Sequence, residues 1–190
     1  MDKLNAVIVG VGGQGTLLAS RVLGYIAVAL GLDVKVSEVH GMSQRGGSVT
    51  TYVRMAEKVH SPLVEQQGAD VVLAFEELEA LRALPYLKKD GMMIVNTQRI
   101  LPLPVIVGAA EYPTNIMETL DASTQLVAID ALPLARQAGN ERALNTVMLG
   151  SLAARLPMIE KALWTKALTA SVPQRFMQAN LAAFELGIAQ

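Results

Sequence analysis

The β-branched apolar run LNAVIVG passes directly into GVGGQG and then into LLASRVLGYIAVALG, which keeps apolar residues on nearly all faces for about four turns. A buried strand that turns through glycines into a buried helix is the opening unit of a doubly wound α/β sheet, and few other architectures accommodate it. The rest of the chain continues in the same manner. DVKVSEV reads as a second strand, and the loop HGMSQRGG separates it from SVTTYVRM, a third strand. That loop is too short for a crossover helix, so the third strand is predicted to pair antiparallel near one edge. ADVVLAFEELEALRALPYL reads as another strand and helix, with Glu76, Glu77 and Glu79 forming a solvated first turn. GMMIVN, PVIVG and QLVAID read as further strands, punctuated by Pro102, Pro104 and Pro113, with Met92 and Met93 in the core. From Ala131 to Gln190 the pattern is helical, interrupted at Pro133, Gly139, Pro157 and Pro173. Phe176, Leu181, Phe184 and Ile188 stand at helical spacing in the last helix. The prediction is a three-layer, Rossmann-like α/β domain with a mostly parallel mixed sheet and a helical C-terminal region, spanning 1–190 as one unit.

Composition narrows the function. Of 190 residues, 52% are hydrophobic and 17% charged, which suits a dry core and not a disordered chain. Lys and Arg total 16 against 17 Asp and Glu, so no broad basic face exists to grip nucleic acid. There is no cysteine, which removes disulfides, thiolate zinc sites, cysteine-held iron–sulfur clusters and a cysteine nucleophile together. His40 and His60 are the only histidines and share no metal-binding spacing, so no metal site is expected. The segment from Leu4 to Ser20 carries Asn5, Gln14 and several glycines, which makes a poor membrane span. MDKLNAVIVG lacks an export signal, and a cytoplasmic protein is expected. The apolar excess suggests that some surface is covered by another chain.

Two segments could carry chemistry. Gly10, Gly12, Gly13, Gln14 and Gly15 satisfy GxGxxG where that motif belongs, so backbone N–H groups could approach an anion at the helix start. The same glycines also suit any tight strand-to-helix turn. Glu38 lies 23 positions after Gly15, about where a dinucleotide site places its ribose-binding acid. The second segment, SEVHGMSQRGGSVTTYVR, gathers His40, Ser43, Gln44, Arg45, Gly46, Gly47 and Ser48 in one connection after a strand. In an open parallel sheet this loop and GVGGQG should be neighbours at the carboxyl edge. Arg45 offers a planar fork for a carboxylate or phosphate, or else a surface or interface ion pair. His40 could exchange a proton or simply bond to local backbone, and a structural role is expected for His60.

With GVGGQG after the first strand, EVHGMSQRGGSV after the second, ADVVLAFEELEALR, and NTVMLGSLA later, the chain resembles the gamma-type domain of 2-oxoacid:ferredoxin oxidoreductases over nearly its whole length. The resemblance implies a two-subunit enzyme that oxidatively decarboxylates an aryl 2-oxoacid such as indolepyruvate. It implies thiamine diphosphate with magnesium, electron flow through iron–sulfur clusters to ferredoxin, and acyl transfer to coenzyme A. The chain has neither cysteines nor a GDG motif with a downstream asparagine, so these cofactors are expected on a larger partner subunit and none on this chain alone. The isolated chain is then expected to be inactive. The resemblance assigns Gly10, Gly12, Gly13, Gln14, Gly15, Gln44, Arg45, Gly46 and Gly47 to the cleft facing substrate, coenzyme A or cofactor, and leaves His40 and Arg45 as the catalytic candidates. Two other readings remain open: a self-sufficient NAD(P)-binding Rossmann oxidoreductase, and an interaction module whose glycines are purely structural.

Overall fold

The computed structural model describes residues 2–41 and 46–190. Six strands form one sheet in the order β2-β3-β1-β4-β5-β6, with β1 Lys3–Val11, β2 Asp33–His40, β3 Ser48–Ala56, β4 Ala69–Ala74, β5 Leu87–Asn96 and β6 Gln125–Ile129. β1, β4, β5 and β6 run parallel, and β3 runs antiparallel to both β1 and β2. The reversed strand therefore stands next to the edge, as the short connection before it requires. Every residue of β1 from Leu4 to Val11 is buried, because helices cover both of its faces.

Alternation along the strands divides the core in two. Ala6, Ile8, Val53, Met55, Leu73 and Ile94 face the larger helical layer, made of α1 Thr16–Ala29, α5 Ala131–Gln137, α6 Leu144–Ala154, α7 Lys161–Ser171 and α8 Met177–Ile188. Val7, Val9, Val72, Ala74, Met93 and Val95 face the smaller layer of α2 Glu77–Ala83 and α4 Ile116–Ser123. Met93 is fully buried as expected, and Met92 is partly buried against the larger core.

Three local expectations are corrected. PVIVG is not a strand: Leu103–Ile106 forms one helical turn, α3. Pro102 and Pro104 fix helical φ values and remove donors a ladder would need, and β6 already occupies the position beside β5. Pro133 does not break the helical region, since it lies in the first turn of α5, where its missing N–H would have had no partner. The strand around GMMIVN begins earlier than its apolar run, at Leu87, and the pairing of β4 with β5 shifts register between Ala69 and Val71.

α6 and α8 meet backbone to backbone. A Cβ on Gly150 would stand 2.2 Å from the Phe184 carbonyl oxygen, and one on Gly187 would stand 2.0 Å from that of Val147. Because both obstacles are backbone, neither substitution is absorbed by a side-chain rotation. Gly150→Ala is expected to lower stability by about 2–3 kcal/mol, read as a fall in the thermal midpoint of roughly 5–10 °C. Gly24 sits inside α1 with nothing within 4 Å of an added Cβ, so Gly24→Ala should instead raise the midpoint slightly. Equal responses at the two positions would refute the close α6–α8 contact.

Candidate functional site

β1 ends at Val11 and the chain turns into α1 through Gly12–Gly15. Gly13 and Gly15 hold φ values of +101° and +91°, which residues bearing a Cβ avoid. The turn closes with Gln14 N–H donating to the Val11 carbonyl at 3.1 Å. The Gln14 side chain points inward: Oε1 accepts from Val11 N–H at 2.7 Å, and Nε2 donates to the Phe75 carbonyl at 2.9 Å and to Gln98 Oε1 at 3.3 Å. The amide thus spans the ends of β1 and β4. Gly10 makes room for it, since a Cβ there would stand 2.9 Å from Gln14 Oε1. Gly15 makes room for Asn145 at the start of α6, whose Nδ2 would meet a Cβ at 2.0 Å.

The two glycine-rich segments come together. Gly12 N–H donates to the Gly47 carbonyl at 2.9 Å, and Gly41 N–H donates to Ser48 at 3.2 Å, which closes the base of the connection between β2 and β3. Beside them opens a cavity of about 440 Å³ lined by Gly12, Gly13, Gly15, Thr16, Leu17, Glu38, His40 and Val49. Glu38 stands at its β2 wall, where Oε2 accepts from Thr51 Oγ1 at 3.1 Å and lies 3.4 Å from Thr16 Oγ1. His40 is exposed on the rim, with Nδ1 3.4 Å from the Gly41 carbonyl oxygen. Of the residues singled out in the sequence, Gly12, Gly13, Gly15, Glu38 and His40 line the cavity, while Gly10 and Gln14 build the turn from behind. Gly46, with φ +74°, and Gly47 flank the base of the loop. Ser43, Gln44 and Arg45 lie outside the described residues. His60 is exposed and takes no part in the cavity.

The acidic start of α2 is not solvated, contrary to expectation. Glu76, Glu77 and Glu79 are 1%, 3% and 3% exposed. Each carboxylate is held by a specific donor, which is what makes burial tolerable. Glu76 Oε2 caps α2 by accepting from Glu79 N–H at 2.9 Å, and Oε1 accepts from Ile100 N–H at 3.0 Å and the Tyr112 hydroxyl at 2.8 Å. Glu77 pairs with Arg99 at 2.6 Å. Glu79 accepts from Ser48 Oγ at 2.5 Å and pairs with Arg82 at 2.6 Å. Ser48 is the first residue after the His40–Gly47 connection, so Glu79 fixes one end of that loop. Sequence reasoning missed this role because an acid at a helix start satisfies the dipole whether it faces water or a neighbouring loop. Leu17, Thr16 and Val49 were missed as well, since nothing in their types marks a cavity wall.

Burial and then the hydrogen bond to Glu76 push the Tyr112 phenol above its ordinary value. Burial and then the bond to Tyr86 push the Tyr52 phenol up to about 12. The unfolded chain releases these protons at about pH 10 while the folded chain retains them, so stability falls as pH rises from there toward the folded values. Denaturant titrations across that range should show this decline, and Tyr112→Phe should flatten it. A slope unchanged in the variant would mean that Tyr112 is not held as described.

Residues 5–190 match the family described as pyruvate ferredoxin/flavodoxin oxidoreductase. The chain is 44% identical to indolepyruvate oxidoreductase subunit IorB of Thermococcus kodakarensis, over 99% of this chain and 96% of that protein. It is 38% identical to the subunit of the same name from Archaeoglobus fulgidus, over 99% and 95%. Among solved structures it resembles the gamma subunit of the keto/oxoacid ferredoxin oxidoreductase of Geobacter sulfurreducens, with a TM-score of 0.72 at 23% identity, covering 98% of this chain and 96% of that one. It also resembles the 2-oxoglutarate:ferredoxin oxidoreductase of Magnetococcus marinus, with a TM-score of 0.74 at 20% identity, covering 100% of this chain and 31% of that one. These two structural likenesses establish the fold. Together with matches to oxidoreductase subunits over nearly their full length, the family match places this chain in the pyruvate ferredoxin/flavodoxin oxidoreductase family.

Proposed function

We propose that this chain is the subunit without redox cofactors in a 2-oxoacid:ferredoxin oxidoreductase acting on indolepyruvate, and that it completes the active-site cleft of a larger, thiamine diphosphate-binding partner. The reading rests on one observation above others: two glycine-rich segments join at the carboxyl edge of the sheet and open a 440 Å³ cavity. The names of the relatives supply the substrate class. The residues present do not fit iron–sulfur clusters or a magnesium–thiamine diphosphate site. The sequence has no cysteine, and among the described residues no three His, Asp or Glu side chains gather as metal ligands.

On this reading the cavity takes part of coenzyme A. Backbone N–H groups of Gly13 and Gly15, with Arg45 from the loop beyond the described residues, receive a phosphate, since those of Gly12 and Gln14 already donate to Gly47 and Val11. Glu38 excludes the anion from the β2 wall and accepts a hydroxyl or amide N–H of the same ligand. His40 stands at the mouth, within reach of a proton exchanged there. Partner docking draws further support from residues 100–110, which carry no charged or polar side chain and leave Leu103, Ile106 and Val107 at 69%, 65% and 65% exposure. Among the described residues no helix is long and apolar enough to cross a membrane. The self-sufficient NAD(P) reading is disfavoured because the crevice between β1 and β4, where a pyrophosphate would lie, is filled by the Gln14 amide.

Co-expression of this chain with the thiamine diphosphate-binding subunit, followed by indolepyruvate-dependent reduction of ferredoxin or a viologen, tests the proposal. Activity is expected only when both chains are present. In the complex, Arg45→Ala should raise KM for coenzyme A about tenfold with little change for indolepyruvate. Turnover by this chain alone, or saturable NAD(P) binding, would overturn the assignment.

A further inference from the structure

Gly13 also borders a second cavity, of about 320 Å³, on the other side of the glycine turn. Beside Gly13 and Gln14, its lining comprises Gln98 just past β5, Leu132 from α5, Glu141 and Arg142 from the short turn before α6, and Leu144 and Asn145 from α6 itself. What distinguishes this cavity is the direction of its unspent hydrogen-bonding capacity. Among the described residues, the Arg142 guanidinium makes no hydrogen bond or ion pair; only its backbone N–H is engaged, by Asn140. Gln98 Oε1 accepts from both Gln14 Nε2 and Asn96 Nδ2, which turns its Nε2 donors away from that network and leaves them without a partner among the described residues. Asn145 is 6% exposed, and among the described residues its Nδ2 reaches only the Gly15 carbonyl, at the limiting distance of 3.5 Å. Three side chains therefore present donors, and the one acid in the wall, Glu141, is engaged by Arg136 at 2.7 Å.

We propose that this cavity binds a small organic monocarboxylate with an apolar body, the carboxylate received by Arg142, Gln98 and Asn145 and the body lying between Leu132 and Leu144. A guanidinium fork matches a carboxylate in two parallel bonds, and side-chain amides add donors without adding charge. Among the described residues Arg142 is the one cation in the wall, so the site matches a single negative charge and leaves the second charge of a phosphate ester uncompensated. The volume lies at the small end of ligand cavities, which excludes a dinucleotide and suits a compact acid. Gly13 and Gln14 are shared with the segment assigned to the cleft, but the three donors, Arg142, Gln98 and Asn145, are not, so the proposal does not rest on the subunit reading.

The test uses the full chain in solution, with phenylpyruvate and phenylacetate as probes, followed by calorimetry or by amide chemical shifts. Saturable binding in roughly the millimolar range is expected, as befits a few hydrogen bonds and a small apolar contact. Arg142→Gln, an exposed change that breaks no existing bond, should weaken both probes at least tenfold. Gln98→Glu, which keeps the acceptor used by Gln14 and Asn96, should do the same by adding a like charge. Inorganic phosphate should not displace either probe. Absence of saturable binding, binding indifferent to both substitutions, or displacement by phosphate would each overturn the proposal. Because no partner subunit enters the experiment, its failure is distinct from failure to reconstitute oxidoreductase activity.

Discussion

The carboxamide of Gln14 fixes the relation between the glycine turn and the sheet. A tight turn leaves backbone groups without regular partners, and here one side chain satisfies the N–H of Val11 and the carbonyl of Phe75 at once. Each of those groups, left buried and unpaired, would cost about 1–3 kcal/mol. The requirement propagates outward. Gly10 must lack a Cβ because Oε1 occupies the space beside it, and Gln98 is held with its amino group outward because its oxygen already accepts from Gln14. A glutamine in this turn therefore closes the crevice between β1 and β4 and displaces ligand space to either side, where the two cavities meet at Gly13.

The acids of α2 do for the loops what Gln14 does for the turn. Three buried carboxylates, two in a seven-residue helix and one at its N-cap, would be untenable without compensating donors. Their donors from outside the helix come from two regions of the chain: Glu76 from Ile100 and Tyr112, Glu77 from Arg99 in the same excursion, and Glu79 from Ser48. The long excursion between β5 and α4 is thereby tied at both shoulders to a single carboxylate, while its apolar middle remains on the surface. Rigid roots beneath an exposed apolar tip suit a segment that meets another chain, since little order is left to be gained on contact.

Much of this arrangement was legible in the sequence. The strand, glycine turn and helix at the start, the reversed third strand, and the helical last third all follow from periodicity and connection length, which are local properties. The failures share a cause. PVIVG has the composition of a strand, but strand formation needs an open edge, and whether β5 offers one is decided by β6, some twenty residues further on. EELE at a helix start satisfies the helix dipole in either environment, so its burial depends on Ser48, Arg99 and Tyr112, which the chain delivers from three distant positions. The motif residues show the same division. That GVGGQG and the Gly46–Gly47 pair are neighbours was readable from sheet logic, but that Gln14 faces inward while Glu38 faces the cavity was not, because side-chain direction in a turn depends on what fills the space behind it.

The reversed strand gives the sheet a property that a wholly parallel one would lack. In a parallel crossover the chain leaves the carboxyl edge, crosses the sheet as a helix and re-enters from the opposite edge, so only one end of each loop lies near a ligand. With β3 antiparallel to β2, the polar connection leaves at His40 and returns at Ser48, and both ends stay at the carboxyl edge. β3 also pairs with β1, which brings Val11 opposite Ser48 and puts Gly12 within hydrogen-bonding distance of Gly47. The same insertion moves β2 to the outside, so Glu38 reaches the start of α1 from across an intervening strand, supported by Thr51 of that strand. A glycine motif shared with dinucleotide-binding folds thus stands in a different surround, where two glycine-rich backbones face a common cavity and the space for a pyrophosphate is already taken by a side chain.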